Sequence, residues 1–418
     1  MNFFWPKNGD GKISGNQDEV GTSFQTKWQE TIEEVVAMNP LKPFHPEVLL
    51  FLDSISKTIF GDRSYRRFPE LIALAYWLRK AHLVEMQELF NNQTNSKIVL
   101  ARGVALHFAP SNVDTIFVYS WVLSMLAGNN NIIRISGQKQ VQTELLLHAI
   151  MIGLEKYQEV ANRTVILTYD HDIETSKYLS ERCDVRIIWG GDNTVKAIRA
   201  IPLAPLAIEL TFPDRFSLSV IEANTILKAG EEDFADFIHR FYNDGFWFAQ
   251  MACSSPRLIV WIGNDQAIKA AGELFWNGID NYLNTHFIDY SPALQVQKLA
   301  TGYLLSGSDN VQYFSHQKNF SRIKVDSIDL EIRGKHCGGG LFIELSLQKL
   351  NDLIPYLDDK DQTLSYYGFK RTELVDFAKK LQNRGIDRIV PIGQALNFEG
   401  IWDGYDLLFY LTREIVIR

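Results

Sequence analysis

The apolar positions of the chain change their period once, near residue 97. Before it, the segments Phe24 to Met38, Pro46 to Ile59 and Phe68 to His82 carry apolar residues at helical spacing, which predicts helices. After it, short β-rich runs alternate with helical stretches. The runs are Lys97 to Ala101, Val104 to Phe108, Asn131 to Ser136, Thr164 to Tyr169, Val185 to Trp189 and Leu206 to Leu210. Helical patterns lie between them at 113–126, 140–157, 172–180 and 193–200. Continuous apolar strands separated by helices mark a parallel sheet buried on both faces. The alternation returns less regularly in the second half, with a helix at 231–246, a strand at 257–262 and a helix at 266–283. A mixed stretch then leads to strands at 340–345, 363–369 and 387–392, with a helix at 373–384. The expected fold is α/β: two doubly wound domains behind a helical N-terminal region of residues 1–96. The first domain is expected over 97–222, the second over 223–395, and 396–418 as a return segment.

Composition narrows the function classes. The 418 residues carry 42 Lys+Arg against 50 Asp+Glu, a formal charge of −8, with 46% hydrophobic and 22% charged residues. That balance fits a globular chain, not a disordered one. It gives neither nucleic acid nor anionic lipid a general attraction. Three cysteines, Cys183, Cys253 and Cys337, are too few and too scattered for a disulfide framework, which suits a reducing cytoplasm. The N-terminus lacks the pattern of a secretory signal. The most apolar stretch, Ile116 to Ala127, is about a dozen residues and falls short of a bilayer span.

Several chemistries lack their motif. There is no P-loop, G-x-G-x-x-G, H-E-x-x-H or G-x-S-x-G pattern. Asn8 to Ile13 superficially resembles a calcium loop, but Lys12 and Ile13 stand where a carboxylate or amide and a glycine are required. The nine histidines show no ligand spacing, so no metal site is expected.

Four segments carry candidate chemistry. In Val104 to Val113 a buried strand runs into a polar turn and a helix, so Asn112 falls where open α/β sheets bind ligands. Its carboxamide can donate to a developing oxyanion; Asn112 or Ser111 can equally cap the helix. Arg134, flanked by isoleucines, needs a partner, either a ribose or phosphate or a structural carboxylate. Trp189-Gly190-Gly191-Asp192-Asn193-Thr194 joins a strand to a helix through a glycine pair that lets a pyrophosphate approach closely. Cys253, in Ala252-Cys253-Ser254-Ser255-Pro256, sits in a small-residue turn before a strand. Cys337, with His336 beside it and three glycines behind, is the rival nucleophile.

Taken together and in order, these segments resemble the LuxC-type acyl-CoA (acyl-protein) reductases of the aldehyde dehydrogenase superfamily. The resemblance runs from about residue 97 to the C-terminus. It rests on ALHFAPSNVDT, GNNNIIRIS, IIWGGDNTV, ACSSPRLIV and RIVPIGQALNFEGIWDGYDLL. It implies an aldehyde-dehydrogenase-like fold, with a nicotinamide-binding domain at 97–222 and a catalytic domain at 223–395. It also implies Cys253 as nucleophile, Asn112 as the oxyanion-holding amide and Glu209 as the superfamily's acidic residue. Arg134 takes the place of a lysine that meets the cofactor ribose, with Ser136 beside it, and Gly190, Gly191 and Thr194 fall on the pyrophosphate loop. Ser111 and Asp114 depart from the Gly and Pro frequent in related reductases.

The implied reaction reduces an acyl thioester to an aldehyde through an acyl-cysteine, with NADPH favoured because a 2′-phosphate suits Arg134. The donor is an acyl group on coenzyme A, a carrier or a partner synthetase, and the family implies a homo-oligomer. His107 is expected as a hydrogen-bonded core residue in preference to an acid or base. Two other classes compete: a cysteine acyltransferase or thioesterase without hydride transfer, and a non-catalytic scaffold on the same fold.

Overall fold

The computed structural model describes residues 1–6, 22–110, 116–137, 141–286, 290–382 and 385–418. The chain divides into two compact units, residues 1–213 with 398–418, and residues 214–397.

The first unit is built on six strands in the order Asn2–Trp5, Thr164–Thr168, Asn130–Arg134, Val104–Phe108, Val185–Trp189 and Ile208–Phe212. Five run parallel; the N-terminal strand joins the edge antiparallel. Val104–Phe108, Thr164–Thr168 and Val185–Trp189 are buried at every position. Sheets flanked by helices on both faces require this, and it made these strands visible as short, mostly apolar runs. Strand order reverses between Val104–Phe108 and Val185–Trp189, so a ligand crevice is expected at their carboxyl ends.

The helices of this unit follow the sequence closely, with one division. The expected helix Phe68 to His82 ends at Trp77, as Pro69–Trp77, and a second helix, Lys80–Thr94, runs twelve residues past the expected end. Arg79 between them is extended (φ −63°, ψ 143°), and the Lys80 N–H donates to buried Asp53 at 3.1 Å. The C-terminal Thr412–Ile415 returns to this unit and pairs antiparallel with Ile98–Ala101.

The second unit has seven strands in the order Val311–His316, Ser321–Val325, Leu341–Leu347, Pro256–Ile262, Phe216–Glu222, Asp361–Tyr367 and Arg388–Pro391, parallel except at the Val311–His316 edge. Alternate residues go to opposite faces. Leu258, Val260 and Leu364 join one apolar cluster, while Ile259 and Trp261 join another with Phe237, Phe275 and Trp276. Phe216–Glu222, assigned to the first domain by sequence, lies inside this sheet between Pro256–Ile262 and Asp361–Tyr367. Its serines hid it. Ser219 Oγ pairs with Ser365 Oγ at 2.6 Å, and Ser217 Oγ donates to the Cys253 carbonyl at 2.7 Å, so both hydroxyls are satisfied in a buried strand.

Candidate active site

Trp189 ends a buried strand, Gly190 turns the chain, and Gly191 (φ −63°, ψ 160°) caps the helix Asp192–Arg199. A Cβ at Gly190 would stand 3.1 Å from Thr194 Cγ2 and 3.2 Å from its Cβ. The Gly190 N–H donates to Phe212 O at 3.2 Å, which fixes the bend to the neighbouring strand. The result is a close-approach turn whose helix begins with backbone N–H groups facing outward, suited to a phosphate.

Arg134 ends Asn130–Arg134 and is half-buried. Its Nη2 donates to Tyr169 O at 3.1 Å, and the guanidinium lies 5.5 Å from the Tyr169 ring centroid. No carboxylate pairs with it among the described contacts, so that structural alternative does not account for it. Ser136, also half-buried, follows two residues on. Asn112, with Ser111 and Asp114, lies outside the described residues.

Glu209 has a definite structural attachment. In register with Arg186 across the Val185–Trp189 and Ile208–Phe212 pairing, it accepts from Arg186 Nε at 2.7 Å, and its other oxygen meets Arg199 Nε at 3.0 Å. Arg186 is almost wholly buried and also donates to Ser180 Oγ and Ile201 O. Sequence reasoning did not find this pair, because it depends on a register between strands 23 residues apart.

His107 is fully buried. Nδ1 lies 3.1 Å from Ser120 Oγ and Nε2 3.1 Å from Asn131 Oδ1, and burial pushes its pKa down to about 4. It is a neutral core residue, as expected.

The three thiols separate by environment. Cys183 is buried, donates to Ser180 O at 3.3 Å and is pushed up to about 12 by burial. Cys337 is also buried, and burial raises its thiol, with a hydrogen bond to Thr301 opposing. Cys253 alone of the three is partly exposed. Its turn precedes Pro256–Ile262 at the amino ends of the strands. It sits beside the loop that enters Leu341–Leu347 in the same way.

Two unusual backbone runs hold that corner. Phe248, Ala249 and Gln250 all have positive φ (53°, 51° and 61°), a region costly for side-chain-bearing residues. Opposite them Gly338, Gly339 and Gly340 have φ of 71°, 68° and 78°. The Gly339 N–H donates to Ala249 O at 2.8 Å. Gln250, wholly buried, fastens the rest: Nε2 donates to Pro256 O (2.9 Å) and Leu341 O (3.0 Å), and Oε1 accepts from Gly340 N (3.0 Å). A Cβ at Gly338 would fall 2.6 Å from Met251 Sδ and 3.0 Å from Ala249 O, so the two runs mesh only with glycine there.

The His336–Cys337 pairing suggested by sequence has no base to offer. His336 Nδ1 accepts the Gly338 N–H at 3.1 Å, and Nε2 lies 2.7 Å from Leu341 O, which assigns the proton to Nε2. Burial, reinforced by the Arg257 charge, pushes this imidazole down to about 3.

Residues 80–277 match the family model for acyl-CoA reductase (LuxC). Over that stretch the chain is similar to the LuxC reductases. It is 23% identical over 329 residues to the long-chain acyl-protein thioester reductase of Aliivibrio fischeri, covering 75% of this chain and 63% of that protein's length. Among solved structures, methylmalonate-semialdehyde dehydrogenase from Oceanimonas doudoroffii superposes with a TM-score of 0.66 at 10% identity, over 93% of this chain and 89% of that one. Glyceraldehyde-3-phosphate dehydrogenase from Methanocaldococcus jannaschii, complexed with NADP, gives 0.65 at 12% identity over 94% of each chain. The fold of the chain is therefore that of the aldehyde dehydrogenases, as expected from sequence. Among the described residues no helix is long and apolar enough to cross a membrane, and no cluster of His, Cys, Asp and Glu could hold a metal ion.

Proposed function

We propose that the protein reduces an acyl thioester to an aldehyde, with Cys253 as nucleophile and a nicotinamide cofactor as reductant. The observation that carries this is the environment of Cys253: the one partly exposed thiol, on a turn built to hold it, in a chain whose other two thiols are buried. In this reading the Cys253 sulfur attacks the thioester carbonyl, forming a carbon–sulfur bond while the oxygen takes the negative charge. The Asn112 carboxamide and the Cys253 backbone N–H hold that oxyanion. The original carbon–sulfur bond then breaks, the leaving thiol departs, and an acyl-cysteine remains.

The residues of the first unit fit the cofactor. Gly190 admits a pyrophosphate where a Cβ would press on Thr194. Gly191 and Thr194 line the start of the following helix, and Arg134 with Ser136 would hold the ribose. When bound, reduced nicotinamide supplies hydride to the acyl carbon. The adduct left on Cys253 collapses to aldehyde and regenerates the thiolate. Arg134 favours NADPH, since a guanidinium suits a 2′-phosphate. Glu209 serves as the acidic residue only if Arg199, the exposed member of its pair, gives way; otherwise it positions the strand. The acyl donor is proposed as coenzyme A or an acyl-protein, the latter being the substrate in the name of the Aliivibrio relative. A cytoplasmic, homo-oligomeric enzyme is part of the same proposal.

The test combines absorbance of reduced nicotinamide with mass spectrometry of the protein after addition of a long-chain acyl-CoA. Nicotinamide consumption together with an acyl adduct on Cys253 is the expected outcome. An adduct without consumption would indicate an acyltransferase, and neither would indicate a scaffold.

A further inference from the structure

Arg257 is the second residue of Pro256–Ile262, in a strand otherwise buried and apolar. Its Nε is buried with no hydrogen-bond partner. A guanidinium drawn out of water needs a counter-charge. The ionisable groups whose charges act on it are Cys253, Asp214, Cys337 and His336. Three of them are poor partners. His336 is committed as a neutral imidazole by its two backbone hydrogen bonds. Cys337 is buried, bonded to Thr301, and has a second cation near it in buried Lys298, whose Nζ donates to Asn319 O at 3.3 Å. Asp214 is exposed, where water screens its charge. Cys253 is four residues away, on the turn that enters the strand carrying Arg257.

We propose that Arg257 is the positioning residue that supplies the counter-charge of the Cys253 thiolate. The inference rests on Cys253 being the nucleophile and adds the group that keeps its sulfur anionic. Burial pulls the Arg257 guanidinium down from its ordinary value, and the charges of Cys253, Asp214 and Cys337 oppose that shift. The direction is that of a cation and a thiolate stabilising one another. Cys253 lies on the turn that leads directly into the strand carrying Arg257, so one continuous stretch of backbone places both.

The test is site-resolved alkylation of the full chain by iodoacetamide, in which the thiolate displaces iodide, followed by mass spectrometry across a pH series. Arg257→Gln is expected to move the Cys253 midpoint up by about one pH unit, an alkylation rate about tenfold lower at neutral pH. Arg257→Lys retains the charge and is expected to recover most of the rate. A merely structural arginine would alter stability without moving this profile. An unmoved profile in Arg257→Gln overturns the proposal; should that variant not fold, an unmoved profile in Arg257→Met, which keeps a long apolar stem without the charge, does so. Acyl labelling of Cys253→Ala separates the two levels. Label that survives there refutes the nucleophile itself, whereas label lost there beside an unmoved Arg257→Gln profile refutes Arg257 alone.

Discussion

Replacing Gln250 by alanine removes three hydrogen bonds from a place that water does not reach. The Gly340 N–H loses its acceptor and Pro256 O loses a donor, while Leu341 O keeps the His336 ring as a partner. Each buried group left unsatisfied costs about 1–3 kcal/mol, so the loss is about 3 kcal/mol before the cavity is counted. Alanine inherits the positive φ at this position and gains nothing from relief of strain. For a domain of this size, about 3 kcal/mol lowers the melting transition by roughly 6–12 °C. The structural link to function is that Gln250 joins the Cys253 turn to the glycine run of 338–340. The rate of Cys253 acylation is therefore expected to fall at least about tenfold, even at temperatures where the variant stays folded. Gln250→Glu is the sharper control, because it places an oxygen where Nε2 now donates to two carbonyls. Differential scanning calorimetry and a timed acylation assay read both effects. A Gln250→Ala protein that melts within about 2 °C of wild type and acylates at an unchanged rate would refute the reasoning.

Three further outcomes follow from the first unit. Arg134→Ala is expected to raise the nicotinamide KM about tenfold with kcat largely kept; an unchanged KM in steady-state kinetics removes Arg134 from the site. Gly190→Ala is expected to weaken cofactor binding about tenfold by pressing on Thr194, and equal affinity by fluorescence titration would show that nothing approaches that bend. His107 has a folded pKa of about 4, below its unfolded value near 6.5, so its contribution is complete above about pH 6.5 and is lost as pH falls towards 4. The stability margin of wild type over His107→Asn should therefore narrow by about 2 kcal/mol between pH 6.5 and 5, and a constant margin in denaturant titrations contradicts a neutral buried imidazole.

The strands of the first unit were legible because burial on both faces leaves a mostly apolar run, interrupted in Val185–Trp189 by Arg186 alone. Phe216–Glu222 escaped because Ser217 and Ser219 look like surface residues until their partners on other elements are known. The edge strand Val311–His316 is mostly polar and half exposed, which leaves no periodicity to read. At the site, Cys253 and the Gly190–Gly191 turn could be picked out from local residue types. The left-handed run Phe248 to Gln250 could not, since none of these residues favours that conformation. Glu209's ion pair and the clamp by Gln250 depend on contacts between segments far apart in sequence. Arg257, by contrast, carried the same signal as Arg134, a cation within an apolar strand, and that signal was available.

The proposed chemistry depends on which sulfur carries the acyl group. Incubating the full chain with a long-chain acyl-CoA in the absence of nicotinamide, then mapping the adduct by mass spectrometry, tests this most directly. The adduct is expected on Cys253, lost in Cys253→Ala and largely kept in Cys337→Ala. An acyl group found on Cys337 in the wild-type protein would contradict it.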